Sequence, residues 1–290
     1  NPRISSLIGR LNMENNTLTI SQSYPEFIEF MRTAKMKDNK MDASIDDDFA
    51  FTGSNSFDEA IELAVNGWDE GRSDLASAAE YAFARTQTID KPQWNYAPAG
   101  AIPNVPAAAA GVPSNMMTLH DSGTNSKQPI VTIYASFGAS YMVSSEAIIR
   151  RGAAIVALID QIEQSGKRVK LVCYCSNLFS GARVGEETYD RLIYTVTAKE
   201  SDELLDLDRI AFTMAHPSML RRCKFRVMEC TFDNYIPGYG APSEMPNDLR
   251  EANAMHLGPM YSDDGFETQE QAIETIQKEW EASSKLADAA

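Results

Sequence analysis

Pro129-Ile-Val-Thr-Ile-Tyr-Ala-Ser-Phe-Gly-Ala-Ser-Tyr-Met-Val-Ser-Ser-Glu-Ala147 decides the fold. A β-branched run, Ile130 to Ser136, empties into a loop of small residues and then into a helix start at Ser144-Ser-Glu-Ala. Downstream, Ile148, Ile149, Ala153, Ile155, Val156, Leu158, Ile159 and Ile162 leave few polar gaps, which predicts a long helix lying on a sheet. Ser165-Gly-Lys stops it, and Val169 to Cys175 follows as a nearly continuous apolar run suited to a central parallel strand. Leu192 to Thr197 alternates as a strand. Asp206 to Ala215 reads as a helix that continues or restarts at His216-Pro, and Phe225 to Cys230 reads as a returning strand. The order strand, helix, strand, strand, helix, strand carries a βαβ signature. It predicts an α/β protein with a Rossmann-like sheet flanked by helices, whose sites sit at the loop after the first strand.

Working outward, four regions are expected. Residues 1–91 read as mainly helical. Ser23-Tyr-Pro-Glu26 and Ser56-Phe-Asp-Glu59 are helix starts, Asn66-Gly67 is a stop, and Asp74 to Gln87 is an Ala-rich helix. Phe49-Ala-Phe-Thr52 is expected as a short strand. Residues 92–128 form a Pro/Ala-rich crossover, residues 129–232 the α/β core, and residues 233–290 a turn-rich segment ending in a helix from Glu267 to Leu286. Within the core, Ser176 to Thr188 reads as a polar loop. Met13 reads as a candidate initiator, which makes the first twelve residues upstream sequence or a docking arm.

Acidic residues outnumber basic ones 41 to 26, for a net charge of −15. Such a protein is a poor non-specific partner for a phosphate backbone unless a local basic patch overrides the sign. The four cysteines suggest buried free thiols and a reducing compartment. No apolar run is long enough to span a bilayer, so no membrane partner is expected.

The common chemistries lack their residues. Neither G-x-G-x-x-G nor G-x-x-x-x-G-K-[ST] is present. His120, His216 and His256 are scattered without the i, i+4 pairing of a zinc helix. A Ser136 or Ser140 nucleophile with His216 lacks a nucleophile elbow. No cofactor, metal or catalytic residue is expected. Arg150, Arg151, Arg221 and Arg222 stand out against the acidic background. With Ser136, Ser140 and nearby aromatics they form the candidate anion or single-stranded nucleic-acid surface.

Tyr134-Ala-Ser-Phe-Gly-Ala-Ser140 stands where a von Willebrand factor A domain carries Asp-x-Ser-x-Ser. The central block resembles a metal-less relative of that fold, with Tyr134 or Ala135 in the place of the ligating Asp. Further segments resemble an uncharacterised family of phage and mobile-element proteins. They are Phe51-Thr-Gly-Ser-Asn-Ser-Phe-Asp-Glu-Ala60, Asn66-Gly-Trp-Asp-Glu-Gly71, Val105 to Met117, Ile149-Arg-Arg-Gly-Ala-Ala154, and Asp206 to Phe212 with His216 to Arg222. That resemblance implies a viral or mobile-element origin and no activity. The expected function is therefore that of a non-enzymatic phage protein acting through protein–protein contacts or self-assembly, as a virion component or assembly factor. Its expected place is the host cytoplasm or the virion. Single-stranded nucleic-acid binding is the alternative, as is adaptor work for an AAA+ ATPase by analogy with von Willebrand A-like folds.

Overall fold

The computed structural model describes residues 10–14, 16–69, 71, 94–99, 102–119, 129–251 and 253–288. The Ala-rich helix expected over residues 74–87 and the polar loop after Leu119 lie outside the described residues. A hairpin of β1 (Arg10–Glu14) and β2 (Thr17–Ser23) precedes α1 (Tyr24–Thr33), α2 (Phe49–Thr52) and α3 (Phe57–Asn66). The Pro/Ala-rich segment forms a small antiparallel sheet of β3 (Trp94–Ala97), β4 (Ile102–Pro103) and β5 (Met116–Leu119), with α4 (Val105–Ala109) between the last two. Then come β6 (Ile130–Ser136), α5 (Ser145–Gln164), β7 (Arg168–Val184), β8 (Glu187–Lys199) and α6 (Leu207–Ala215). A π-helical segment, Met219–Lys224, runs into α7 (Phe225–Thr231), and β9 (Ala241–Pro242), β10 (Met255–Leu257) and α8 (Gln269–Asp288) follow.

The main sheet has the order β1-β2-β8-β7-β6-β10, with β9 on β7. Its β10–β6–β7 part is parallel, β7 and β8 are antiparallel, and β2 is parallel to β8. This is an α/β sheet flanked by helices, Rossmann-like as the βαβ block predicts. The helix starts follow local chemistry. The Ser144 hydroxyl accepts from Ala147 N–H at α5, and the Ser56 hydroxyl accepts from Glu59 N–H at α3. The Ser23 and Glu26 side chains form a reciprocal capping box at α1.

α5 buries Ile155 and Ile159 completely against the sheet and packs on α6 and α8. Cys173 and Cys175 share its face of β7, while Tyr174 points to the other side with Ile193 and Met245, as a period of two requires. All four thiols are free and buried, and burial pushes Cys173, Cys223 and Cys230 up to about 12. Such thiols are inert as nucleophiles. Among the described residues no helix is long and apolar enough to cross a membrane.

Four local expectations are corrected. The segment before α1 is not helical: β2 pairs with β8 from Thr17↔Arg191 to Ser23↔Thr197, so it belongs to the same sheet as the core. Phe49–Thr52 is one helical turn, capped by the Asp48 carboxylate on Phe51 N–H and ended by Gly53 at φ 76°. Its two aromatics suggest a strand, but the cap and the αL glycine win. Residues 176–188 are not a loop. β7 and β8 pair as far as Val184↔Glu187, where Gly185 at φ 63° opens a two-residue turn. Phe225–Thr231 is helical, continuing the π segment, because its buried Val227, Met228 and Thr231 recur at helical spacing. The returning strands come instead from the turn-rich segment, as β9 and β10.

Candidate functional site

The parallel strands create the site by parting. β6 pairs with β7 as far as Ser136↔Tyr174, and Phe137 N–H still reaches Tyr174 O at 2.9 Å. Beyond that point the backbone swings away through Gly138 and Ala139, which follow the segment at Met260. Ser140 N–H donates to Met260 O and Met260 N–H to Gly138 O, both at 2.9 Å. β9 takes over the vacated edge of β7, with Asn177↔Pro242 and Leu178↔Ala241. A pocket of about 610 Å³ opens between the diverging segments and is closed below by the π segment. Open α/β sheets place ligands at such carboxyl ends of their strands.

The pocket is apolar, with two cations in its wall. Phe179, Phe225 and Tyr239 line it together with Arg221 and Lys224. Phe225 and Tyr239 are stacked at 4.2 Å. Lys224 is 1 % exposed, donates to Tyr239 O at 3.2 Å, and sits 5.2 Å from the Phe225 ring. Burial pushes its ammonium down to about 8. Arg221 spends Nη1 on Phe51 O and Ser145 Oγ and Nη2 on Val143 O, and stacks on the Phe51 ring at 4.1 Å. Its Nε–H is buried without an acceptor among the described residues. Tyr141, at the pocket mouth, is 81 % exposed and its neighbour Met142 is 72 % exposed.

The six residues expected to form an anion or nucleic-acid surface do not share one exposed face. Ser136 is fully buried, and its hydroxyl accepts from Gly138 N–H. Arg151 is buried inside the fold, bonding Ser136 O and Gly258 O at 2.5 Å each, so it ties the end of β6 to the segment before Met260. Arg150 is half-buried and caps Phe266 O. Arg222 is fully buried. Of the six residues, Ser140 and Arg221 do line one site, the pocket above. The guanidinium groups turn inward because main-chain carbonyls at loop ends offer them acceptors that no single segment displays.

Two of the sequence segments that carry the family resemblance prove to be halves of one internal clasp. Arg222 donates from Nε to Ser54 Oγ at 2.6 Å, from Nη1 to Ser44 O at 2.9 Å, and from Nη2 to Thr52 Oγ1 at 3.0 Å and Ser54 O at 2.7 Å. Ser218 Oγ donates to Thr52 O, and Gly53 lies where a Cβ would meet His216 and Pro217 at 3.2 Å. Next to it Glu229, fully buried, accepts from Ser44 N–H and Oγ–H, from Tyr239 O–H at 2.7 Å, and pairs with Arg226 at 3.5 Å. Through Tyr239 this network also holds the pocket wall. Lys224 stands out in sequence only as part of the basic run with Arg221, Arg222 and Arg226, and Tyr239 falls in an expected turn-rich segment, so neither is marked there as a pocket residue.

His216 belongs to the clasp. It is edge-on to Trp68 and stacked on Phe212, and its Nδ1 accepts from Ser218 N–H at 3.2 Å, which requires the neutral ring. Burial pushes it from the ordinary 6.5 down to about 4, with Glu59 opposing. Between those values the unfolded state takes up a proton that the native state refuses. Stability is therefore full above pH 6.5 and falls as pH drops, by about 3 kcal/mol across the window. Urea unfolding at pH 7 and pH 4.5 should show His216→Asn, which keeps an acceptor, losing roughly 2 kcal/mol less than wild type over that interval. Equal losses would place the acid sensitivity elsewhere.

Fold and site together define an α/β protein with a cation-lined, apolar pocket at its strand ends. The chain belongs to the family described as "Domain of unknown function (DUF7192)", whose model matches residues 10–282. No curated protein and no solved structure matches it.

Proposed function

We infer that this is a non-enzymatic protein of phage or mobile-element origin that works through protein–protein contact, as a virion component or assembly factor, with the strand-end pocket as its docking point. One observation carries the reading: Tyr141, in the lining of a largely apolar pocket, and Met142 next to it in sequence are both strongly exposed. Large apolar side chains standing together at a concave site mark interaction surfaces. Their loop is held at both ends, by the Ser140–Met260 bond and by Arg221 on Val143 O, so it presents a preformed shape. Preorganisation lowers the ordering cost of binding.

A photo-crosslinking amino acid placed at Tyr141 in the full-length protein, expressed in its native host, tests the reading. One defined adduct is expected at that position. None is expected from the same probe at Lys167, which is exposed before β7 at the opposite end of the sheet. Equal, diffuse adducts from both positions would reject the pocket mouth as a docking point.

A further inference from the structure

We propose that the pocket recognises a carboxylate of the docked partner, an Asp or Glu side group or a free polypeptide C-terminus beside an apolar residue, and that Lys224 is the group that receives it. The inference deepens the docking reading and rests on it.

The protein contains its own standard for a buried structural lysine. Lys199 is 1 % exposed, like Lys224, yet it pairs with Glu163 at 2.9 Å and donates to Val169 O and Glu200 O. Lys224 is as deeply buried and has one carbonyl, at 3.2 Å, and the face of an aromatic ring. The titratable neighbour acting on it is the Cys175 thiol, which burial keeps protonated and therefore uncharged. Among the described residues, two of its three N–H donors thus have no acceptor. A buried ammonium is costly unless paired, and removing a partner from such a charge costs several kcal/mol as a rule. Arg221, three residues earlier in the same π segment and on the same pocket wall, adds a guanidinium whose Nε–H lacks an acceptor. The wide π turn puts both cations beside one cavity, and π turns concentrate at functional sites.

The number of open donors selects the anion. Two from Lys224, beside the positive charge of Arg221, suit the two oxygens of a carboxylate. A phosphate dianion presents three terminal oxygens and more charge than these donors match. Much of the remaining lining is apolar, including Phe179, Leu220, Phe225 and Ile236, and suits the residue that accompanies the carboxylate. The protein's net charge of −15 repels acidic molecules elsewhere, so the pocket supplies a local exception that favours an acidic group here.

The probe is 4-phenylbutyrate, with its uncharged amide as the control, titrated into the full-length protein and followed by ligand-observed NMR and thermal shift. Binding of the acid should be at least tenfold tighter than that of the amide. Lys224→Met should abolish the difference. It removes an uncompensated buried charge and keeps a long apolar side chain, so it should fold with an unchanged or higher Tm, measured in the same experiment. The acid should also suppress the Tyr141 crosslink to the partner. Equal binding of acid and amide, or acid binding that survives Lys224→Met, overturns the carboxylate site, while an intact Tyr141 crosslink leaves docking standing. Acid binding that needs Lys224 but never competes with the crosslink overturns the assignment of that carboxylate to the partner. Loss of the crosslink itself in wild type fails the docking reading and this inference with it.

Discussion

Gly152→Ala should destabilise the protein by about 3 kcal/mol or more, enough to abolish soluble accumulation of a marginal fold. Gly152 lies in the middle of α5, where alanine is intrinsically better by about 1 kcal/mol. The gain cannot be collected. A Cβ there would stand 2.3 Å from Ala215 Cα, 2.4 Å from Ala215 Cβ and 2.5 Å from Met214 O. Two of these three atoms belong to the backbone at the C-terminal end of α6, so relief requires the helices to separate. That shift would disturb packing that buries Ile155 and Ile159 on one side and Ile210 on the other. Chemical denaturation of the purified variant measures the effect. A ΔΔG below about 1 kcal/mol would mean that α5 and α6 slide apart freely. The Arg-Arg-Gly-Ala-Ala segment is thus the site of a close helix crossing that only the tertiary structure reveals.

The second large effect is expected at the clasp. Arg222→Ala should cost about 3–4 kcal/mol, because hydrogen bonds to a charged donor are lost while their acceptors stay buried. Ser44 O, Ser54 O, Ser54 Oγ and Thr52 Oγ1 all lose a donor at once. Arg222→Lys should recover less than half of this, since a single ammonium cannot reproduce the planar fork that serves both Ser54 and Ser44. Backbone amide exchange gives the sharper readout: protection at 51–56 should fall along with that at 216–222. Protection lost on one side only would show that the two segments do not act as a unit.

The nucleic-acid surface expected from Arg150, Arg151, Arg221 and Arg222 illustrates where reading along the sequence stops. The clustering of these residues is visible there, and so is their contrast with an acidic background. Their direction is not. Arg151 finds carbonyls on Ser136 and Gly258, fifteen and more than a hundred residues away, and Arg222 finds Ser44 and Ser54 on a segment far upstream. A guanidinium satisfied by carbonyls inside the fold and one stacked under a nucleotide look alike in sequence. The pocket is half visible. The loop after Ser136 is marked by its place behind a βα strand, and Ser140 and Arg221 do line the cavity. Lys224 belongs to the same basic run as Arg221 and Arg222, but its burial beside the cavity depends on a π turn that no local pattern signals.

By itself the sequence determined the α/β class, the extent of β6 and α5, the helix starts at Ser23, Ser56 and Ser144, the burial of the thiols and the acidic surface. These follow from periodicity, caps and composition, all of which act within a few residues. Tertiary structure alone decided the joining of β2 to β8, the continuation of β7 past Cys175, the clasp between 51–54 and 216–222, and the burial of Lys224 beside an open pocket. Each depends on acceptors and packing partners supplied from distant parts of the sequence, and whether a charged group is solvated or enclosed is set by those partners, not by its neighbours in sequence.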